Sequence, residues 1–328
     1  MEHLTVAVII PTYNRAALVQ EAIRSLLAQT QIPDEIIVVD DGSTDNTKEV
    51  LGKFEAPVNV ITQPNLGRSE ARNAGLLAVK SDFIAFLDSD DTLPPNSIAH
   101  RAKILEQHPD YDVVYGETLL IDLEGKPVGK FSQFKPGLHP SGLVFAEIAL
   151  SNLVPLHAIM FRRLCLEPTV CFDPTLDTME DFDFWLRIAA HHSFVYTDEI
   201  VAHYRTHDDM TTVTMPDKMR LSEITVQRRA IEMDVFQKLS PLQQAKIYTT
   251  HGAKYAVLGQ TKEARKWFTK AILTAPTSMK VSTKAFALMA FTLLGSNGTR
   301  YLAAVRRQIR ASLKRNTRWA YNRPSTKE

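Results

Sequence analysis

The apolar positions of the first ninety residues switch repeatedly between two periods. Residues 6–10 form an unbroken apolar run rich in β-branched side chains, ending in Pro-Thr-Tyr-Asn, the pattern of a buried strand delivered into a loop. Leu18, Ala22, Ile23, Leu26 and Leu27 then recur at helical spacing, which predicts a helix to about Gln29. A second apolar strand, 35–39, runs into Asp40-Asp41-Gly42-Ser43-Thr44-Asp45, where Asp or Ser caps a helix carrying Val50, Leu51 and Phe54. A third strand at 58–62, a turn at 65–68, a helix over 69–79 and a strand up to Asp88 complete a β-α-β-α-β-α-β series. That alternation predicts a parallel sheet with right-handed crossovers.

Beyond residue 91 the pattern predicts a helix over 97–107, a strand at 111–115, a hairpin of 119–121 with 128–131 around Glu124-Gly125, and a short helix over 145–150. Residues 151–161 read as a strand-like segment containing His157, either a buried, satisfied histidine or a substrate contact. Phe182, Trp185, Leu186 and Ala189 share one face of an amphipathic helix, and residues 200–207 form a strand ending in His207. Past Pro216 the chain turns helical, with helices over 219–237, 241–258, 262–275 and 282–294. The expected division is therefore an α/β domain, 1–216, and a helical C-terminal region, 217–328. Within the latter, Ala253, Tyr255, Gly259, Ala264, Phe268, Ala271 and Pro276 resemble one tetratricopeptide-type repeat.

Composition is that of a globular protein, with 45% hydrophobic and 23% charged residues. The net charge of +1 conceals an asymmetry. Residues 264–328 hold 14 Lys/Arg and one acid, against 24 Lys/Arg and 36 Asp/Glu in residues 1–263. Leu302, Val305, Ile309, Leu313 and Trp319 interleave with the basic residues of 300–323, the pattern of a basic amphipathic helix lying on an anionic membrane surface. A solvated basic helix or a disordered tail has the same composition, and no nucleic-acid motif accompanies it. The two cysteines, Cys165 and Cys171, lack metal-ligand or redox spacing. The opening apolar run is too short for a signal peptide, and the longest apolar run, 285–294, falls short of the roughly 20 residues of a membrane span. The expected location is the cytoplasm, or the inner face of the membrane as a peripheral protein.

The candidate chemistry sits at strand ends. Asp88, Asp90 and Asp91 crowd three carboxylates into four residues after an apolar strand. Held close, they need a cation or proton to offset their repulsion, and oxygen ligands suit Mg2+ or Mn2+. A solvated acidic turn is the alternative. Tyr13 with Asn14, Asp40 with Asp41, and Asp88 with Asp90 should line one edge of the sheet, where open α/β folds bind ligands. Neither a Gly-x-Gly-x-x-Gly nor a Gly-Lys-Ser/Thr phosphate loop is present, so this is a site of side chains and metal.

The series Ile-Pro-Thr-Tyr-Asn-Arg, Val-Val-Asp-Asp-Gly-Ser-Thr-Asp, Gly-Arg-Ser-Glu-Ala-Arg-Asn-Ala-Gly and Phe-Leu-Asp-Ser-Asp-Asp resembles the inverting family 2 glycosyltransferases of the GT-A fold, and the resemblance extends more weakly to about residue 212. It implies a GT-A type mixed, mostly parallel sheet flanked by helices, followed by the helical extension. It also implies a nucleotide-diphosphate sugar donor, a UDP-, GDP- or dTDP-sugar, and a glycan or lipid-linked acceptor. By motif, Pro11 and Tyr13 line the base pocket, and Asp41 accepts from the base imide with Asp40 beside it. Arg72 lies near the base or diphosphate, Asp88 and Ser89 meet the nucleotide, and Asp90 holds the metal. Bland alternatives are a strand-end aromatic for Tyr13, a helix cap for Asp40, and a salt bridge with Glu70 or a solvated helix position for Arg72. In Thr-Met-Glu-Asp-Phe-Asp-Phe-Trp, the resemblance makes Asp181 the catalytic base with Glu180 as acceptor holder or substitute. Acids in a first helical turn also simply favour the helix dipole. His207 resembles the residue that closes on the metal, its alternative being a loop histidine, and Asp209 replaces the family's usual Asn. A non-catalytic nucleotide-sugar-binding scaffold, and a nucleotidyltransferase without its usual Gly-rich first loop, are the competing functions.

Overall fold

The computed structural model describes residues 4–131, 139–152, 155–166, 170–207 and 214–293. Its strands are β1 (Val6–Thr12), β2 (Glu35–Asp40), β3 (Val58–Thr62), β4 (Phe83–Phe86), β5 (Val113–Ile121), β6 (Pro127–Phe131), β7 (Ile159–Arg162) and β8 (Phe194–Arg205). They form one sheet in the order β3-β2-β1-β4-β7-β5-β6, with β8 on β5. The first four strands run parallel. β7 is antiparallel to both β4 and β5, while β8 is parallel to β5. The sheet is thus mixed and mostly parallel, as the family resemblance implies, and β1 to β4 form the parallel part that the alternation of periods predicts. β1 and β4 are buried along their whole length, which is why both appear in the sequence as unbroken apolar runs.

Helices α1 (Ala16–Leu27), α2 (Thr47–Leu51), α3 (Arg68–Ala78), α4 (Ser97–Gln107), α5 (Phe145–Leu150) and α6 (Glu180–Ala189) accompany the sheet. α3 lies so close to β1 that a Cβ on Gly75 would come 2.4 Å from Ile9 Cγ2. α6 is anchored by an aromatic cluster. Phe184 stacks on Phe172 at 4.2 Å and meets Phe86 edge-on at 5.9 Å, while Trp185 packs against Phe161 at 5.5 Å. Such pairs add about 0.5–1.5 kcal/mol each beyond their buried area. They fix the helix whose first turn carries Glu180 and Asp181.

Several segments differ from the sequence expectation. Residues 151–161 yield a 3-10 turn, Leu156–Ala158, before the short β7. The two strands expected at 111–115 and 119–121 are one strand, β5, whose register with β8 shifts around Glu117. That shift absorbs the polar stretch after Tyr196 and lets β8 begin at Phe194, six residues before its apolar run.

Contacts divide the chain into two compact units, residues 1–148 with 152–214, and 149–151 with the residues from 215 onward. The second unit contains α7 (Pro216–Glu232), α8 (Asp234–Gln237), α9 (Pro241–Val257), α10 (Thr261–Thr274) and α11 (Met279–Leu293). The expected single helix over 219–237 is interrupted at Met233, whose ψ of 144° is extended. Ser240 and Gln243 form a reciprocal capping box at the start of α9. Ala264, Phe268 and Ala271 of the repeat-like pattern are fully buried. The basic residues of 300–323 lie outside the described residues. Among the described residues, no helix is long and apolar enough to cross a membrane.

Candidate active site

β1 and β2 end together, with Thr12 opposite Asp40, so their loops emerge side by side. Pro11 is buried in β1, whereas Tyr13 is 42% exposed and free to offer a ring face. Asn14, at φ 50°, turns its side chain onto the loop that follows β2. Its Oδ1 accepts from Thr44 N at 2.7 Å. Asp40 accepts from Ser43 N at 3.0 Å. It does not cap α2, whose N-cap residue is Asn46 and which has no side-chain capping bond; just before that helix, Asp45 Oδ1 accepts from Thr47 N at 3.0 Å.

Asp41 is nearly buried and receives three donors. Gln63 Nε2 at 2.7 Å and Leu66 N at 2.9 Å reach Oδ1, and Gly67 N at 2.9 Å reaches Oδ2. A carboxylate has about four acceptor positions, so roughly one is left for a base imide. Asp41 therefore shapes the 65–67 turn as well as standing at the expected base site. Gly42 makes this approach possible: its φ is 78°, and a Cβ there would meet Asn65 N at 2.7 Å.

Arg72 is the hub of the next layer. Its side chain is 4% exposed. Nη2 donates to Asp88 Oδ1 at 2.7 Å, and Nη1 donates to Glu180 Oε1 at 2.8 Å. The guanidinium also lies 5.3 Å from the Phe172 ring centre. Neither a Glu70 salt bridge nor a solvated position describes it. Arg72 joins Asp88, at the end of β4, to the first turn of α6. Burial works against a charged Asp88, but Arg72 prevails and holds that carboxyl below the usual range.

The neighbouring carboxylate is treated differently. Asp181 Oδ2 accepts from Asn152 Nδ2 at 2.8 Å, and Oδ1 from Phe182 N at 2.8 Å. Burial, reinforced by the charge of Glu180, pushes its pKa up to about 6, with Asn152 and Arg72 acting in the opposite sense. Of the acidic pair, Glu180 is the one clasped by arginine. Asp181 makes its contacts with neutral donors.

Asp90 meets Arg15 and His207 through the same oxygen, with His207 Nε2 at 3.1 Å. Ser89, between the two aspartates, is buried. The fully buried Asp91 accepts Arg205 N at 2.8 Å. Arg205 also donates from Nε to Asp90 O at 2.8 Å, from Nη1 to Leu123 O at 2.8 Å, and from Nη2 to Glu21 Oε2 at 2.7 Å. One buried guanidinium thus fixes the acidic loop against the end of β8, two residues before His207. His157 is 2% exposed, with Nδ1 2.8 Å from Asp91 Oδ2, yet neither atom has a well-aligned hydrogen bond. Burial raises the Asp91 pKa to about 6, and the Asp91 carboxylate, against the effect of burial, raises that of His157.

The donor set fits a divalent cation. Asp88, Asp91 and His157 bring one ligand atom each within 4.8 Å of one another, and Asp91 Oδ2 and both His157 ring nitrogens lack hydrogen-bond partners. Asp90 and His207 form a second carboxylate–imidazole pair alongside. Carboxylate with imidazole suits Mn2+, and carboxylate oxygens alone suit Mg2+. Asp208 and Asp209 lie outside the described residues. Arg15, Asn152 and Arg205 were not among the predicted site residues. Arg15 and Arg205 stand beside residues of the strand-end motifs, but nothing local in the sequence marks Asn152.

A family model described as glycosyl transferase family 2 matches residues 7–167. An uncharacterized glycosyltransferase of Rickettsia typhi is 33% identical over 217 residues, 64% of this chain and 66% of its own length. The chondroitin synthase of Pasteurella multocida is 27% identical over 229 residues, covering 69% of this chain and 23% of the synthase. Among solved structures, S. aureus TarS 1-349 in complex with UDP-GlcNAc superposes with a TM-score of 0.62 at 20% identity, over 93% of this chain and 92% of that one. With three of its motifs at the ends of β1, β2 and β4 and the fourth on α3, the chain belongs to family 2 of the glycosyltransferases.

Proposed function

We propose that this glycosyltransferase moves a sugar from a nucleotide-diphosphate sugar to an acceptor hydroxyl with inversion, in the assembly of a cell-surface polysaccharide or glycolipid. The observation that carries the reading is the division of labour between two carboxylates. Asp88 is kept ionised by Arg72, while Asp181 has only neutral donors and a pKa of about 6. A carboxylate poised just below neutrality is a competent proton acceptor. In the reaction the acceptor oxygen bonds to the anomeric carbon as the bond from that carbon to the phosphate oxygen breaks. The hydroxyl proton passes to Asp181, and the nucleoside diphosphate departs with the bonding electrons.

Tyr13 would stack on the base and Pro11 would back the pocket, with Asp40 and Asp41 toward the imide and Asp88 and Ser89 toward the ribose and diphosphate. Arg72 acts by setting Asp88 and Glu180 rather than by touching the donor. Asp90 and His207 would hold Mn2+ or Mg2+, with Asp91 and His157 behind them. A cation there supplies charge neutralisation for the leaving diphosphate. TarS is named as a UDP-GlcNAc complex, which favours a UDP-sugar, and the match to chondroitin synthase favours a glycan acceptor. The basic residues of 300–323 would hold the protein to an anionic membrane surface, on its inner face.

Calorimetric titration with UDP, UDP-GlcNAc and a panel of UDP-, GDP- and dTDP-sugars, with and without MnCl2, tests the donor site. The expected result is binding that Mn2+ tightens, lost in Asp90→Ala and retained in Asp181→Asn. Failure of every nucleotide to bind in the presence of metal would overturn the reading.

A further inference from the structure

Resting on the reading of Asp181 as proton acceptor, we propose that Asn152 is a positioning residue for that carboxylate. The residue follows α5 and precedes the 3-10 turn Leu156–Ala158, 29 positions from its partner. It donates from Nδ2 to Asp181 Oδ2 at 2.8 Å, while the other oxygen is held by Phe182 N at 2.8 Å. The terminal torsion of an aspartate is broad and two-fold when free. Two donors arriving at different oxygens lock it, so that the remaining lone pairs face a defined direction. A base misplaced by about 1 Å can lose on the order of 100-fold in rate.

The chemistry of the donor matters as much as its place. Arg72, which donates to Asp88, depresses that carboxyl and makes it a poor proton acceptor. A primary amide orients without supplying charge. The groups that act electrostatically on Asp181 are Glu180 on its own helix, Arg72 from α3, and Tyr204 from β8. Beside these, Asn152 is the neutral side-chain donor in direct contact, and with the backbone N–H of Phe182 it opposes the upward effect of burial and Glu180.

The test uses the full chain and does not require the acceptor to be identified. Carboxyl carbons of 13C-labelled aspartate are titrated by NMR, and the Asp181 signal is assigned by its loss in Asp181→Asn. Asn152→Ala should raise the Asp181 midpoint by half a unit or more, and the isosteric Asn152→Asp should raise it further by adding a like charge. Donor-consuming turnover, measured with the sugar nucleotide that the wild type consumes, should fall about 10- to 100-fold in Asn152→Ala. UDP affinity and melting temperature should stay near wild type, which a merely structural residue would not allow. An unmoved midpoint in both variants, or unchanged turnover in Asn152→Ala, would overturn the proposal. Full turnover in Asp181→Asn would instead overturn the base assignment and leave the titration result standing.

Discussion

At the scale of single residues, the site sorts its acids by their partners. Asp181 must be ionised to accept a proton, and its pKa is raised to about 6. Activity should therefore fall about tenfold per pH unit below pH 6 and level off above it, as a pH–rate profile of kcat/KM would reveal. An acid limb near pH 4, that of an ordinary aspartate, would argue against Asp181. Arg72 allows a second prediction. Its buried guanidinium pairs with Asp88 and Glu180 together, so Arg72→Met takes the hydrogen-bonded cation from Asp88 and leaves Glu180 with the longer 3.7 Å contact to Arg68 Nε. Removing one partner of a buried pair costs about 3–5 kcal/mol, which urea unfolding would measure. Arg72→Lys, with one ammonium in place of a fork, should recover only part of that loss.

At the scale of elements, close packing ties the side of the site expected to bind the nucleotide to the sheet. Gly75 lets α3 lie against β1, and the same helix carries Arg72. Gly75→Ala should cost about 1–3 kcal/mol by overpacking and weaken UDP binding along with stability. Ile9→Ala, which removes the clashing Cγ2, should restore part of both in the double variant. Strictly additive losses would show that the two residues do not oppose one another. This part of the fold was legible in the sequence because buried parallel strands leave unbroken apolar runs and their helices a 3.6-residue period. The segment 151–161 was less so. An apolar run of that length is compatible with strand or turn, and only tertiary pairing with β4 and β5 confines the strand to Ile159–Arg162. The strand-end acids were legible from their motifs, since Asp88 and Asp90 follow directly from β4. The bridge from Arg72 to Glu180 spans 108 positions, and Asn152 reaches Asp181 across 29, so neither leaves a local signal.

At the scale of the whole molecule, charge is distributed unevenly along the chain. Residues 264–328 carry 14 basic residues against one acid, while residues 1–263 are net acidic. If the basic segment engages an anionic surface, the protein should sediment with phosphatidylglycerol vesicles and not with phosphatidylcholine vesicles. Salt should weaken the interaction, and removal of residues 300–328 should abolish it. Equal binding to both vesicle types would contradict that role. The central claim concerns the chemistry of the sheet edge, and it is tested most directly by turnover. Protein with Mn2+ is incubated with the panel of sugar nucleotides, and released nucleoside diphosphate is measured for wild type, Asp90→Ala and Asp181→Asn. The account predicts metal-dependent release from a preferred donor, reduced at least 100-fold in each variant. Release that persists in both variants, or that requires neither metal nor Asp181, would contradict it.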